Sequence, residues 1–233
     1  MLADKLRSMW RGPGAVDRRG QPSAPPGAAR PLFSRPSGAQ ESVSTRTSRG
    51  LEEFFSYIRG QTGLTILDLG GASQENVNFI TNLGHRLYSE DFLQILHETF
   101  NADETDQSNP GRIDYFLANA LDYPEAHFDG VLIWDALEYL EPALLAATID
   151  RLRRIVRPHS YLLSFFHTDD KLEAVPFYNF RIHDPRTLLV SQHGMRRPAQ
   201  LFNNRSLEKL FVRFESVKFF LTRERLREVI VKV

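Results

Sequence analysis

The sequence predicts an α/β fold: a doubly wound, mostly parallel sheet of seven strands closed by an antiparallel C-terminal hairpin. Three observations predict it. TILDLGGASQENVNFITNLGHRLYSED, residues 65–91, reads as an apolar strand ending in an acid, a turn of small residues, an amphipathic helix and a second strand ending in acids. FDGVLIW, residues 128–134, is apolar enough to be buried on both faces, as an interior parallel strand is. Strand and helix patterns then alternate until two apolar runs close the chain. A βαβ unit of this kind holds a nucleoside-like ligand at the carboxyl ends of its strands.

Taken in order, residues 11–50 are rich in Pro, Gly, Ser, Arg and Ala and lack periodic apolar positions. Such a stretch buries too little surface to offset its ordering entropy. Residues 1–50 are therefore expected to be a disordered basic tail, and residues 51–233 the folded domain. Leu2, Leu6, Met9 and Trp10 sit at helical spacing, which fits either a docking peptide or a frayed terminus. Residues 51–60 place Leu51, Phe54, Phe55 and Ile58 on one helical face, with Gly60 as a stop. The first strand is expected over Leu64–Leu69 and the second over Arg86–Ser89. Between them runs a helix, Glu75–Leu83, capped by Ser73 and ended by Gly84. A further helix follows at Asp91–Phe100, then a polar loop at 101–111. The third strand is expected at Ile113–Leu117, the fourth at Phe128–Trp134, and the fifth at Tyr161–Phe166. Pro142–Val156 reads as a helix with Leu144, Leu145, Ile149, Leu152 and Ile155 inward. Ser206–Phe214 reads as a last helix, and Ser216–Leu221 with Arg227–Val233 as the closing hairpin.

Composition narrows the function classes. The chain is 42% hydrophobic and 25% charged, an ordinary globular balance, with formal net charge +0. The first 50 residues hold nine basic and three acidic side chains, and the remainder 20 basic and 26 acidic. A mildly acidic body argues against a nucleic-acid substrate held on a basic surface. There is no cysteine, which excludes disulfides, thiolate chemistry and a Cys-ligated metal. No apolar run approaches the roughly 20 residues that span a bilayer, and Met1–Trp10 lacks a signal-peptide core. A cytoplasmic protein without a membrane partner is expected.

ILDLGGASQ, GHRLYSED, LANALDYPEAHFDGVLIWDALEYLEP and RIVRPHSYLLSFF, in this order, resemble the motifs of class I S-adenosylmethionine-dependent methyltransferases of the small-molecule type, which have a Rossmann-like sheet. The resemblance covers about residues 51–233. It implies S-adenosyl-L-methionine as cofactor and a cofactor site built from Asp68, Gly70, Gly71, Ala72, Asp91 or its neighbour Glu90, Asn119, Ala120 and Trp134. Asp68 would face the methionine ammonium, Asp91 the ribose hydroxyls, and Asn119 the adenine. Ala72 and Gln74 stand where glycine is usual, and Gln74 is expected to narrow the room beside the methionine. His159 and Ser160 replace two glycines of a turn remote from the chemistry. GGASQE lacks the G-x-G-x-x-G pattern that a dinucleotide's pyrophosphate requires.

Methyl transfer needs a general base only when the acceptor must lose a proton. The candidate catalytic residues are His167, Glu138 and Tyr178. Tyr139, Asp169, Asp170, Arg181 and His183 are further substrate-side candidates, with Arg181 alternatively paired to Asp184. Residues 172–190 are aromatic and are expected to cover the pocket. His167, Asp169 and Asp170 are weak as a ligand set, and no metal is expected. The expected function is methyl transfer to a small-molecule acceptor. The alternative is a catalytically degenerate binding or scaffolding module, favoured by the missing glycines. The oligomeric state is left open.

Overall fold

The computed structural model describes residues 43–100, 106–169, 171–222 and 225–233. The expected tail helix at Leu2–Trp10, most of the tail expected to be disordered, and Asp170 lie outside the described residues.

Among the described residues, two sheets are formed. The central one has six strands in the order β3-β2-β4-β5-β9-β8. These are β2 (Thr65–Asp68), β3 (Arg86–Ser89), β4 (Phe128–Trp134), β5 (Val156–His167), β8 (Ser216–Leu221) and β9 (Leu226–Lys232). The pairs β3·β2, β2·β4 and β4·β5 are parallel, while β9 runs antiparallel to both β5 and β8. The α/β class, the parallel core and the C-terminal hairpin therefore match the expectation. Six strands stand where seven were expected.

The missing strand is Ile113–Leu117, which lies inside helix α4 (Pro110–Ala120). Its buried positions, Ile113, Phe116 and Ala120, are spaced for a helix. Asn109 caps it by accepting from Gly111 N and Arg112 N, and Pro110 occupies the first turn. Asn-Pro, read as loop chemistry, was a helix start.

A second, three-stranded antiparallel sheet has the order β1-β7-β6, built from β1 (Val43–Thr47), β6 (Val175–Asp184) and β7 (Thr187–Arg196). The aromatic segment expected as a pocket cover takes the form of a β-hairpin whose residues 177–180 line a cleft. One expectation is corrected: the folded part begins by Val43 rather than at residue 51. β1 has no alternating apolar pattern of its own. It is held by pairing with β7 from Val43↔Ser191 to Thr47↔Thr187, across a sequence distance that local pattern does not report.

The remaining helices are α1 (Arg49–Ile58), α2 (Gln74–Asn82), α3 (Phe92–Phe100), α5 (Pro142–Ile155) and α6 (Asn204–Leu210). Ser48 and Ser73 cap α1 and α2 by accepting from Leu51 N and Asn76 N. Alternation along the central strands divides the core in two. Leu67, Leu69, Val131 and Ile133 face α3, α4 and α5. Ile66, Leu132, Trp134, Leu163 and Phe165 face α1 and the small sheet. Gly130 lies directly under Phe54, where an added Cβ would come within 2.7 Å of the ring.

Candidate functional site

The strand order reverses between β2 and β4, since the chain moves from β2 to β3 on one side and from β4 to β5 on the other. Ligands of such sheets bind outside the carboxyl ends of the strands at this point. A cleft of about 280 Å³ lies there. It is lined by Leu69 and Gly70 after β2, Asp91 after β3, Ile133 to Ala136 at the end of β4, and Phe177 to Phe180 of β6. Leu93 and Gln94 of α3 and His193 and Arg196 of β7 complete it.

The first turn is clasped to the end of β3. Gly71 N donates to Glu90 O, and Gly70 bridges Asp91. Gly71 has φ +81°, a conformation that glycine adopts without strain. Asp91 is exposed and caps α3, its Oδ1 accepting from Gln94 N at 3.0 Å. Its other oxygen lies on the Gly71 side of the turn. The Glu90 side chain instead accepts from the Tyr123 hydroxyl and does not line the cleft. Geometry thus favours Asp91 over Glu90.

Asp68 is different. It is fully buried, and its carboxylate is already engaged by three protein donors. Oδ1 accepts from Gly70 N at 2.9 Å and from Trp134 Nε1 at 2.6 Å, and Oδ2 from Asn76 Nδ2 at 2.8 Å. Burial pushes its pKa up, against the pull of those hydrogen bonds. Asn76 continues the chain of contacts, its Oδ1 accepting from Ile182 N of β6 at 2.7 Å. Asp68 therefore ties the central sheet to the small one through α2.

Trp134 closes the cleft floor. Its φ is +58°, a strained value for a bulky residue, at an irregularity where β4 shifts register against β5. The conformation is fixed from three sides. Ser164 Oγ donates to Trp134 O at 2.9 Å, the indole donates to Asp68, and Phe180 stacks on it at 5.4 Å and 9°. A Cβ on Gly70 would come within 2.7 Å of the indole, so glycine is required here by contact.

Behind the cleft, Glu138 and His167 form a buried pair. Glu138 sits in a 3-10 turn, Ala136–Tyr139, that follows β4, and His167 ends β5. Glu138 Oε2 lies 2.6 Å from His167 Nδ1, and Oε1 accepts from His167 N at 2.8 Å. A carboxylate only accepts, so Nδ1 carries the proton and Nε2 is left with its lone pair. Nε2 is buried without a hydrogen-bond partner. His167 stacks on Tyr178, at 6.3 Å and 15°, and Tyr178 lines the cleft. Next to the pair, Asp135 is 3% exposed with Oδ2 unpartnered. Burial, and then the neighbouring Glu138 charge, push its pKa up to about 7. Burial likewise raises the pKa of Tyr139, whose hydroxyl is unpartnered.

The sequence-derived candidates thus separate. Gly70, Asp91, Trp134 and Tyr178 line the cleft, with Glu138 and His167 immediately behind Tyr178. Asn119 and Ala120 do not join them: they end α4, Asn119 exposed and donating to Tyr115 O, Ala120 fully buried. The helix extends through the segment expected to be an adenine-binding turn. Ala72 and Gln74 are exposed and outside the cleft lining, Gln74 bonding Asn78 along α2, so Gln74 does not narrow the site. Arg181 pairs with Glu75 and Ser191 rather than Asp184. His183 is exposed outside the cleft, and Asp169 accepts from Lys171 N. Phe177 falls in the aromatic segment 172–190 expected over the pocket, whereas Arg196 and His193 were missed. These two carry no motif, and only the β6–β7 hairpin brings them to the cleft.

Residues 67–164 match the family model described as a methyltransferase domain. This bears out the resemblance read from the sequence over that stretch, from the end of β2 into β5. Among solved structures, it is similar to a SAM-dependent methyltransferase from Archaeoglobus fulgidus (17% identity, 78% of this chain and 91% of that one, TM-score 0.46). It is also similar to the 1,6-didemethyltoxoflavin-N1-methyltransferase of Burkholderia thailandensis (13% identity, 78% and 76%, TM-score 0.44). A third is a SAM-dependent methyltransferase from Methanosarcina mazei (16% identity, 76% and 96%, TM-score 0.44). No curated protein matches the chain at a significant level. Among the described residues, no helix is long and apolar enough to cross a membrane.

Proposed function

We propose that this protein transfers a methyl group from S-adenosyl-L-methionine to a small-molecule acceptor in the cleft above β2, β3 and β4. The observation that carries the reading is Asp91. It is an exposed carboxylate at the end of β3, with one oxygen capping α3 and the other left beside the Gly70–Gly71 turn. That arrangement fits a ribose, whose two hydroxyls both donate to a carboxylate. The opposite end of the cofactor is served differently from the family pattern. Asp68 is buried under Trp134 and engaged by the protein, so it supports the turn rather than meeting the methionine ammonium directly.

When bound, S-adenosylmethionine supplies a methyl group on a positively charged sulfur that is already a good leaving group. The chain's own residues align the acceptor and exclude water. Trp134, Phe180 and Phe177 form an apolar wall against solvent. For an acceptor that must lose a proton, His167 is the base. Glu138 fixes its Nδ1–H, and Nε2 receives the proton past Tyr178. The acidic body of the domain supports a small-molecule acceptor over a nucleic acid.

One observation favours a second reading. The Trp134 indole packs against Gly70 at the place where the glycine-rich turn would meet a ligand, which fits a binding module that has given up catalysis. Calorimetric titration of S-adenosylmethionine and S-adenosylhomocysteine separates the two. Micromolar binding that Asp91→Ala weakens by about tenfold or more, the scale of a charge-assisted hydrogen bond, supports the enzyme. Absence of binding to both ligands would leave the binding module.

A further inference from the structure

We infer that the acceptor is a flat, ring-bearing molecule carrying a carboxylate, which pairs with Arg196. The inference rests on the methyltransferase reading of the same cleft and names the substrate class for it.

The wall comes first. In a regular strand, successive side chains point to opposite faces. β6 shifts register between Phe177 and Tyr178, and both rings line the cleft. Such shifts re-aim side chains beside binding sites. With Phe180 stacked on Trp134, the cleft presents rings from two sheets. Flat ligands bury the most area against surfaces of this kind, and ring pairs add specific stacking.

Arg196 supplies the charge. It ends β7, lines the cleft, and its guanidinium carbon lies 3.7 Å from the Phe177 ring centroid. Stacking on a ring occupies a guanidinium's face and leaves its edge, where the N–H donors lie in a fork that matches a carboxylate. Among the described residues, the guanidinium has no hydrogen bond or ion pair. Asp135 shares the cleft, yet no hydrogen bond joins it to Arg196 and its Oδ2 has no hydrogen-bond partner among the described residues. Asp135 feels the Arg196 charge, but burial pushes its pKa up to about 7, so at a pH well below that it is mostly neutral and leaves the guanidinium's charge to a ligand. Asp91, the other cleft acid, sits with the Gly70–Gly71 turn at the ribose end. The acceptor side of the cleft is therefore aromatic, with one guanidinium that no hydrogen bond or close ion pair occupies among the described residues.

The test compares two probes of the same shape, 4-hydroxybenzoate and 4-hydroxybenzamide, with the bicyclic pair 6-hydroxy-2-naphthoate and its amide beside them. Each is titrated calorimetrically into the full-length protein, with and without S-adenosylhomocysteine. The wild type is expected to prefer at least one acid over its amide by about tenfold or more, the size of one charge-assisted hydrogen bond. Arg196→Gln is expected to erase the preference, and Arg196→Lys to keep part of it, while S-adenosylhomocysteine affinity stays the same in both. Equal affinity for acid and amide, a preference that survives Arg196→Gln, or no binding of any probe by the wild type overturns the inference. A carboxylate preference that depends on Arg196 in a protein that does not bind S-adenosylhomocysteine would uphold the anion site and overturn the methyltransferase reading.

Discussion

Asp68 and Asp91 stand close together, after β2 and β3, yet they live in opposite surroundings. Asp68 is 0% exposed and receives three hydrogen bonds from the indole of Trp134, the amide of Asn76 and the backbone of Gly70. Asp91 is exposed, caps one helix and lines the cleft. Both are motif acids in the sequence, and pattern alone assigns both to the ligand. The packing assigns one to holding two sheets together and leaves the other open to a ligand. A carboxylate's role is set by how many donors the fold has already turned toward it.

The largest expected effect breaks the comparison at its buried side. Asp68→Ala strands the Trp134 indole N–H, the Asn76 amide and the Gly70 N–H in a buried site. Each unsatisfied group costs about 1–3 kcal/mol, so denaturant unfolding should show a loss of about 3 kcal/mol or more. A loss below about 1 kcal/mol would mean that the Asp68 network does not hold the sheets together. At the exposed side, Asp91→Ala should cost about 1 kcal/mol through its helix cap, with the main effect on ligand affinity. Reversal of the two results, stability lost at Asp91 and ligand affinity alone at Asp68, would reverse the assignment of roles.

Asp135 extends the comparison to pH. Its pKa rises from the ordinary carboxylate value of 3.8 to about 7 in the fold, chiefly through burial. The stability carried by its protonated form is therefore complete below about pH 4 and is lost as pH rises through about 7. Asp135→Asn removes that titration. Relative to the wild type, the variant should gain stability between pH 5 and pH 8, as read by denaturant midpoints at the two values. An identical pH dependence in both proteins would show that Asp135 is not the titrating group. The smallest effect belongs to Asn119→Ala. This exposed residue at the end of α4 should shift stability by less than about 0.5 kcal/mol and leave S-adenosylhomocysteine binding unchanged. A tenfold loss of binding would restore the adenine contact that the helix argues against.

Much of the central sheet was legible because its elements carry their own signals. β2 and β4 are short apolar runs buried on both faces. Ser73 and Gly84 mark both ends of α2, and the inward residues of α5 recur at helical spacing. Where the signal was short, the reading failed. Five residues of α4 looked like a strand, because a window that brief does not separate the two periods. The acids after β2 and β3 were legible by position, and the structure separates Asp91, which lines the cleft, from Glu90, which accepts from the Tyr123 hydroxyl.

By itself, the sequence determined the α/β class, the βαβ unit with its acid-ended strands, the C-terminal hairpin and the methyltransferase resemblance. These depend on local periodicity, caps and motif order, all of which are written in neighbouring residues. Only the tertiary structure decided that β1 joins β7 and that residues 175–196 flank the cleft as a β-hairpin. It alone turned Trp134 to a positive φ over Gly70, engaged Asp68 and carried Arg196 into the cleft. Each of those outcomes is a contact between segments far apart in the chain. Its free energy depends on which donors, rings and strand edges meet in space, and no local pattern encodes that meeting.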